Sequence, residues 1–553
     1  MSTPTTYITT PIYYVNDRPH IGHCYTTLLA DVLARFQRLL GHEPVFFLTG
    51  TDEHADKVVT SAAKNGCGPQ EWADRNAEEF KKAFALFNIS NDDFIRTTQP
   101  RHKDRVVQYI TRLMSSGDIY KGDYTGWYDE GQEEYVTDNA AREADFKSTI
   151  SGRPLVKRTE PCYFFRLGKY QQKLFELIST DESFVRPDSR RQEILGRLRP
   201  PAVLNDVPVS RPVTDDPATQ WGIRIPGDDA HRIYVWIDAL FNYLSVVDNP
   251  EQRKFWPAAV HLIGKDILWF HSVIWPALLL ALGEPLPKTI FGHGWWIADG
   301  QKMSKTLGNF VDIEKLEEYA SKYSLDAVRW YLATQGPLSG ADADFSSAKF
   351  VEVYNAELAN SFGNSTSRVG NMVEKYFGGT VPDSTGDGRF APGEGSALSL
   401  ALTARINAKN AALPGTESRS FDFPAKCAEC VAGAIAAASR QEIDVALHAG
   451  LTLVRAVDDF ISHTAPFTLA KQFPDGAGKE SLARILYACA ETLRIASILI
   501  SPAMPQKCNA LWTLWNCAPP AGAKLEELCA FGSAHAIKPG QKIAKGDPLF
   551  MRA

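Results

Sequence analysis

The amino-acid sequence predicts an α/β fold: a domain with a parallel sheet, an inserted module, and an all-α region after it. Strand-like and helical segments alternate over residues 1–118 and again over 226–290, which is the pattern of a parallel sheet covered by helices. The intervening residues 119–225 are polar, rich in Gly, Asp and Arg, and lack long helical periodicity. Alanine-rich amphipathic runs then occupy residues 351–515, which predicts a helical domain.

Composition limits the class of protein. With 553 residues, 44% hydrophobic and 22% charged, the chain is an ordinary globular protein of roughly three or four domains. The net charge of −6 excludes a nonspecific polycation, but a local basic face could still bind nucleic acid. No secretion signal is recognisable, and the most apolar stretch, Val273 to Leu282, is shorter than the roughly 20 residues of a membrane span. We therefore expect a cytoplasmic protein with no membrane partner.

The first elements justify the α/β assignment. The segment TYITTPIYYV is aromatic and β-branched, as in a buried strand, and the turn residues Asn16 to Pro19 follow it. From Leu28 onward apolar residues recur at helical spacing. EPVFFLTGTDEH then predicts a second strand, and helices continue to about Leu113.

The later elements complete the predicted architecture. After the insertion, RIYVWIDALFNYL and AVHLIGKDILWFHSVIWPALLLALG resume the α/β pattern up to about residue 290. Residues 291–350 carry a lysine-containing loop, and 351–515 form the helical domain, interrupted by the solvated loop GGTVPDSTGDGRFAPGEGS. Residues 516–553 are expected to form a strand-and-turn tail.

Two histidines, His20 and His23, lie around one glycine where the first strand gives way to the first helix. The unpaired backbone N–H groups and the dipole of a helix N-terminus suit this place to anions. Far downstream, Lys302 and Lys305 lie on the glycine-bracketed segment ADGQKMSKTLGN, where two ammonium groups could close on a polyphosphate. Taken alone, the histidine pair would be structural or a metal pair, and the lysine pair a solvated loop. Together, in this order on an α/β frame, they indicate phosphate chemistry.

The combination of HIGH and KMSKT resembles the paired signatures of class I aminoacyl-tRNA synthetases. The blocks TPIYYVN, FLTGTDEH, YVWIDALFNY, IGKDILWFHSVIWPALL and HGWW resemble the methionyl-tRNA synthetases, from about residue 5 to about 515. The resemblance implies a Rossmann-like (HUP-type) nucleotide-binding sheet, a connective insertion, a stem-contact region over 291–350 and a helical anticodon-binding domain. It also implies that ATP with Mg²⁺ converts L-methionine to the adenylate, and that tRNA(Met), including initiator tRNA, receives the methionine.

The resemblance carries over two sets of active-site residues. The catalytic residues are expected to be His20, His23, Lys302 and Lys305, with ATP held by Gly22, Gly264, Asp266, Lys302, Met303, Ser304 and Lys305. Asp52 matches the acid that pairs with the substrate ammonium. The expected pocket lining is Ile12, Tyr14, Trp236, Ala239, Leu240, Tyr243, Ile267, His271 and Trp275. A thioether favours such an aromatic-walled slot, and Tyr14 and His271 could offer weak hydrogen bonds to sulfur.

Two departures from the family pattern bear on metal and tRNA. Where many members carry zinc-binding cysteine pairs, the insertion reads GWYDEGQEEYVTDNAAREADF, and Cys162 is the only cysteine between residues 68 and 426. We therefore expect no zinc, because a structural zinc site needs four ligands. In the helical domain, Asn360, Asn364 and Arg368 share one helix face and resemble the anticodon-reading pattern. Phe467 stands where the family often has a stacking tryptophan.

The remaining cysteines point to a reducing compartment. Nine are scattered along the chain without a disulfide framework. Cys427 and Cys430 form one Cys-x-x-Cys in an alanine-rich helix, and we expect buried structural thiols there, with metal or redox use as the alternative.

Three other functions are open to the sequence. Another class I synthetase of the Val/Ile/Leu group would carry an editing insertion of a couple of hundred residues, and residues 119–225 are too few for one. A non-catalytic RNA-binding paralogue would not need the intact histidines, lysines and Asp52. A small-molecule nucleotidyltransferase would not need the long helical region. No appended tRNA-binding or dimerisation domain is recognisable, and we expect a monomer.

Overall fold

The structure is a computed structural model that describes residues 5–41, 44–129, 134–136, 138–148, 152–298, 300–303, 311–383, 386–390 and 420–553. Within these ranges no helix is both long and apolar enough to cross a membrane.

The centre of the fold is a six-stranded parallel sheet. In chain order its strands are β1 (Thr6–Tyr14), β2 (Val45–Asp52), β3 (Asp93–Arg96), β4 (Val185–Arg186), β5 (Val260–Gly264) and β6 (Thr289–His293). Their spatial order is β3-β2-β1-β5-β6-β4, and each neighbouring pair is parallel. Most strand residues are buried, because helices cover both faces, as is usual for parallel sheets. The predicted α/β class is confirmed.

The helices around the sheet occupy the positions that the alternating pattern predicted. The longest, Ile21–Leu40, follows β1 and packs on the sheet through buried apolar residues such as Leu28 and Leu29. The other helical segments of this layer are Asp56–Lys64, Pro69–Leu86, Pro100–Ser115, Val235–Leu240, Asn242–Ser245, the π-helical turn Phe270–Ile274 and Trp275–Leu282. The short strand β3 lies between helices Pro69–Leu86 and Pro100–Ser115 and was not predicted.

The inserted region combines an antiparallel sheet with short helices. The four-stranded sheet consists of Glu134–Val136, Ile119–Asp129, Val156–Phe165 and Val207–Pro208, in that order. The helices are Asp138–Glu143, Gln171–Thr180, Asp188–Leu198 and Pro217–Gln220, all too short to give the long helical periodicity that the sequence lacks. Strand β4 lies inside the predicted insertion yet pairs with β6, so residues from 119 to 225 do not form one separate module. A second small sheet joins Ser210–Pro212, Asp228–Ile233 and Arg224–Ile225.

The second half is helical, as predicted. Its helices are Ile313–Tyr323, Leu325–Gln335, Ser347–Val353, the π-helical Tyr354–Gly363, Asn364–Phe377, Phe423–Ser439, Ile443–Thr464, Pro466–Gln472, Gly476–Ile500, Pro505–Trp515 and Leu525–Cys529. The last of these is a short helix within the predicted tail 516–553, and after it Ile537, Ile543 and Phe550 pack into the helical core. The interhelical loop is only partly described, and there Arg389–Phe390 pairs with Phe421–Asp422.

A buried arginine joins the two halves. Arg329 is fully buried, binds the Asp31 carboxylate of helix Ile21–Leu40 at 2.7 Å, and donates to the carbonyls of Phe87, Pro502 and Ala503. The helix that begins at the histidine motif is thereby fixed to the helical domain.

Candidate active site

Three of the sequence-predicted groups lie at one edge of the parallel sheet. Asp52 ends β2, Gly264 ends β5, and the turn after β1 leads to His20. In the sheet, β2 and β3 lie on one side of β1, whereas β5 lies on its other side. Such a topological switch point leaves a crevice at the carboxyl ends of the strands, where ligands of open α/β sheets bind.

The two histidines cap the helix that follows β1. His20 is the N-cap residue, and its Nδ1 accepts the Gly22 N–H at 3.1 Å, while Nδ1 of His23 accepts the His20 N–H at 3.2 Å. Burial, and then the neighbouring His20, lower the pKa of His23 well below its usual range, so His23 is neutral. With both Nδ1 atoms accepting, each neutral imidazole carries its proton on Nε2. The helix N-terminus therefore combines two imidazole donors with its own positive dipole end, which suits a phosphate.

The lysine-containing segment returns to this helix. Trp296–Ala298 pairs with Gln301–Lys302 in a hairpin that turns at Gly300, whose φ of +70° favours glycine. Met303 packs against the core, and beyond the loop the Ile21 N–H donates to the Val311 carbonyl at 3.3 Å. Ser304 and Lys305 lie outside the described residues, as does the side chain of Lys302. Val311, two residues beyond the segment ADGQKMSKTLGN, thus contacts the first turn of the helix that carries the histidine motif.

Asp266 lies on the opposite side of the crevice, in the turn after β5. Its Oδ1 accepts the Trp295 Nε1–H at 3.1 Å, and Lys265 binds Asp342 at 2.5 Å. A Cβ on Gly264 would come within 2.6 Å of the Asp266 carboxylate, so glycine there allows this close approach. A carboxylate held in this way can accept hydrogen bonds from ribose hydroxyls.

A partly open cavity lies beside Asp52. Trp236 stacks on Phe270 at 4.2 Å between ring centroids and meets Tyr14 edge-on at 6.1 Å, so the walls are aromatic. The lining residues are Pro11, Ile12, Tyr14, Asp52, Trp236, Ala239, Leu240, Asn242, Tyr243 and His271.

The cavity includes eight of the ten predicted pocket residues, and the other two need correction. Trp275 lies one turn beyond His271 and packs against Tyr243 from the core side. It is fully buried, and its Nε1–H donates to His261 at 3.2 Å. Ile267 is half-buried against the core, and its carbonyl supports His271. Pro11, Asn242 and the stacking Phe270 were missed, although each adjoins a predicted residue in the sequence.

Asp52 is the acidic group of the cavity. Its side chain is 3% exposed, and its Oδ1 has no hydrogen-bond partner among the described residues. Burial first, and then the nearby Asp238, raise the pKa of Asp52 well above its usual range. A buried acceptor without a partner is costly. A cationic ligand group in the cavity would remove that cost.

Asp238 lies behind Asp52 and is fully engaged. Its Oδ2 lies 2.6 Å from His54 Nδ1 and its Oδ1 lies 2.8 Å from His102 Nε2. His102 Nδ1 in turn lies 2.9 Å from the Ser245 hydroxyl. Although burial opposes ionisation, the charges and hydrogen bonds of the two histidines hold the pKa of Asp238 well below its usual range. No pattern in the sequence indicated this network of Asp238, His54, His102 and Ser245.

His271 cannot play the role suggested for it. Its Nδ1 must donate to the Ile267 carbonyl at 2.9 Å, since a carbonyl only accepts. Burial lowers the pKa of His271 to about 4, so the ring is neutral and Nε2 accepts the Tyr243 hydroxyl at 2.8 Å. His271 therefore orients Tyr243 and has no N–H left to donate to a sulfur atom.

The predicted anticodon face is divided between two kinds of helix. Leu358 and Phe362 are buried as expected, while Asn360 and Asn364 are exposed and Arg368 is half-buried. Asn364 and Arg368 lie in one α-helix, but Asn360 lies in the π-helical segment before it, where its Oδ1 accepts from Arg552 at 2.7 Å. Phe467, in helix Pro466–Gln472, is 46% exposed. Its ring is therefore available to stack.

The thiols and acids give no indication of a metal centre. All nine cysteines are free thiols, and burial raises the pKa of both Cys427 and Cys430, which supports the structural interpretation of that pair. Within the described residues, no group of three or more His, Cys, Asp or Glu side chains is arranged to hold a metal ion.

Known proteins resemble the whole chain. The model of the family described as class I tRNA synthetases (M) matches residues 6–144 and 141–370. The methionine–tRNA ligase of Streptomyces coelicolor is 39% identical over 560 residues, covering 99% of this chain and 96% of that protein. The enzyme of the same name from Caldanaerobacter subterraneus is 39% identical over 555 residues, covering 99% of this chain and 79% of its own.

The fold has a similar solved relative. Mycobacterium tuberculosis methionyl-tRNA synthetase, in complex with methionyl-adenylate, superposes with a TM-score of 0.81 at 32% identity. The superposition covers 99% of this chain and all of that one.

Proposed function

The chain belongs to the methionine–tRNA ligase family of class I tRNA synthetases, and from this premise we propose how its site performs the family's reaction. L-methionine and ATP give methionyl-adenylate and pyrophosphate, and methionine is then transferred to the 3′-terminal adenosine of tRNA(Met). In this proposal methionine fills the cavity beside Asp52, and ATP lies over the N-terminus of helix Ile21–Leu40.

One observation carries the assignment of the amino-acid site: a buried carboxylate oxygen without a partner lies in an aromatic-walled cavity. Asp52 would accept the substrate ammonium, and Trp236 and Tyr14 would contact the thioether, a soft group that aromatic rings suit. The neighbouring switch point between β1 and β5 supports a position for the substrate carboxylate next to the phosphate site.

Adenylate formation needs positioning and charge neutralisation. The methionine carboxylate oxygen attacks the α-phosphorus in line, the bond to the bridging oxygen breaks, and pyrophosphate leaves with its electron pair. His20 and His23 would donate their Nε2 protons as hydrogen bonds to the phosphates, while Lys302 and Lys305 meet the leaving pyrophosphate. Asp266 would bind the ribose. The Mg²⁺ that accompanies ATP would be held chiefly by the phosphates.

The transfer step needs a bound tRNA. The 2′-hydroxyl of the terminal adenosine attacks the adenylate carbonyl, AMP leaves, and the hydroxyl proton is released. In the helical domain, Asn364 and Arg368 could bond base edges while Phe467 stacks on a base, which is how unpaired bases are usually recognised. We propose that this protein works as a cytoplasmic monomer on initiator and elongator tRNA(Met).

Charging of tRNA tests the proposed function. Purified protein, ATP, Mg²⁺ and radiolabelled methionine should give labelled tRNA(Met), and no label should enter tRNA(Ile) or tRNA(Val). Adenylate formation without any charging of tRNA(Met) would contradict the ligase assignment.

A further inference from the structure

The segment Asp52-Glu53-His54 contains two acids and one base, yet its three side chains have very different partners. Glu53 is fully buried and binds Arg96 at 2.6 and 3.1 Å. His54 binds Asp238 at 2.6 Å. Asp52 alone has a buried oxygen without a partner.

His54 is the base closest to Asp52 in the sequence, and its backbone N–H donates to the Asp52 carboxylate. Asp238 binds the His54 side chain and also lies close enough to Asp52 to raise its pKa. If the His54 Nδ1–H turned to Asp52, it would donate to the same Oδ1 atom that the proposed substrate ammonium needs as its acceptor. Asp238 instead holds that proton donor, and His102 with Ser245 fixes the other side of Asp238.

We propose that Asp238 is a positioning residue for methionine binding, which keeps His54 away from Asp52 so that the Asp52 carboxylate stays open to the substrate ammonium. This inference rests on the proposed function, because it takes Asp52 as the ammonium acceptor. Asp238 itself touches no substrate in this account. Its burial, at 1% exposure, and its two histidine partners make it a fixed anchor and not a solvated charge.

The test is a set of variants that separates competition from a structural role. Asp238→Asn keeps the shape but leaves one acceptor oxygen for two histidines, which weakens the hold on His54 and lets its N–H turn toward Asp52. Methionine affinity, measured by calorimetry without ATP, should fall about 5- to 10-fold, the scale of one hydrogen bond that must first be displaced. The KM for ATP in pyrophosphate exchange should change little.

Removing the competitor should rescue the defect. In Asp238→Asn/His54→Leu no base remains to pair with Asp52, so methionine affinity should return to within about 2-fold of the wild type. His54→Asn alone keeps an N–H donor at the Nδ1 position and should bind methionine normally. If the double variant binds methionine as weakly as Asp238→Asn or more weakly, the competition is refuted.

A control uses another Asp–His pair, which is partly buried. Asp228 lies 3.0 Å from His231 in the small antiparallel sheet, and neither residue lines the cavity. Asp228→Asn should leave methionine affinity unchanged at a comparable loss of melting temperature. Unchanged methionine affinity in Asp238→Asn would overturn this inference alone, whereas a wild type that fails to bind methionine would overturn the proposed function.

Discussion

Replacing Asp52 by alanine should weaken methionine binding strongly, and the structure sets the size of the effect. The carboxylate is 3% exposed and its Oδ1 has no partner among the described residues, so the ammonium of bound methionine would lose its main acceptor. Removing one member of a buried charge pair costs about 3–5 kcal/mol. The ammonium can recover part of this loss from backbone carbonyls. We take the lower end, about 3 kcal/mol, which corresponds to about a 100-fold higher dissociation constant.

Calorimetric titration with methionine alone measures this loss directly. Asp104→Ala, which removes an exposed carboxylate from the same domain, is the matched control and should bind normally. The same titration, repeated at several pH values, tests the protonation of Asp52.

The pKa of Asp52 is raised in the free protein, and pairing with an ammonium lowers it again. Methionine affinity should therefore rise with pH from the usual aspartate range near 4 up to the raised pKa of the free protein. Unchanged affinity in Asp52→Ala, or the same pH slope in Asp52→Asn, would remove Asp52 from the site.

Further variants test the other parts of the site. Lys305→Ala should slow adenylate formation by about 100-fold or more with little change in methionine affinity, because one transition-state charge contact is lost; normal exchange kinetics would exclude its pyrophosphate role. Phe467→Ala or Arg368→Ala should reduce tRNA charging by about 10-fold or more while pyrophosphate exchange stays near normal, since a stacking ring contributes about 1–3 kcal/mol, and Phe467→Trp should be tolerated. Normal charging by both alanine variants would exclude anticodon reading by this face. Metal analysis should find no stoichiometric zinc, and chelators should leave the melting temperature unchanged; one tightly held zinc per chain would contradict this.

The sequence predicted those parts of the fold that local patterning specifies. Strand β1 is a short aromatic and β-branched run, and the helix at Ile21 begins where His20 caps it, so both could be recognised from periodicity and turn residues. Strand β4 has two residues, Val185–Arg186, and pairs only with β6, which is more than 100 residues away. Such a strand is specified by tertiary pairing and not by its own composition, and this is why the insertion appeared continuous.

The site shows the same division between local and long-range information. Trp236, Ala239, Leu240 and Tyr243, which the family resemblance assigned to the methionine pocket, line the cavity, whereas helical spacing alone would have favoured a place in the core. The role of His271 was misjudged because a histidine in a motif does not reveal its partners. The Ile267 carbonyl and the Tyr243 hydroxyl occupy both of its nitrogens. The contacts of Asp238 with His54 and His102 span 184 and 136 residues, and no pattern in a single sequence indicates them.

The most direct test of the central claim is pyrophosphate exchange measured with each of the twenty amino acids in turn. The aromatic cavity beside Asp52 predicts methionine-dependent exchange, with isoleucine, leucine and valine far behind, because a branched side chain fits the slot formed by Trp236 and Tyr14 poorly and lacks the sulfur contact. Exchange supported by leucine as well as by methionine would contradict the assignment of this cavity.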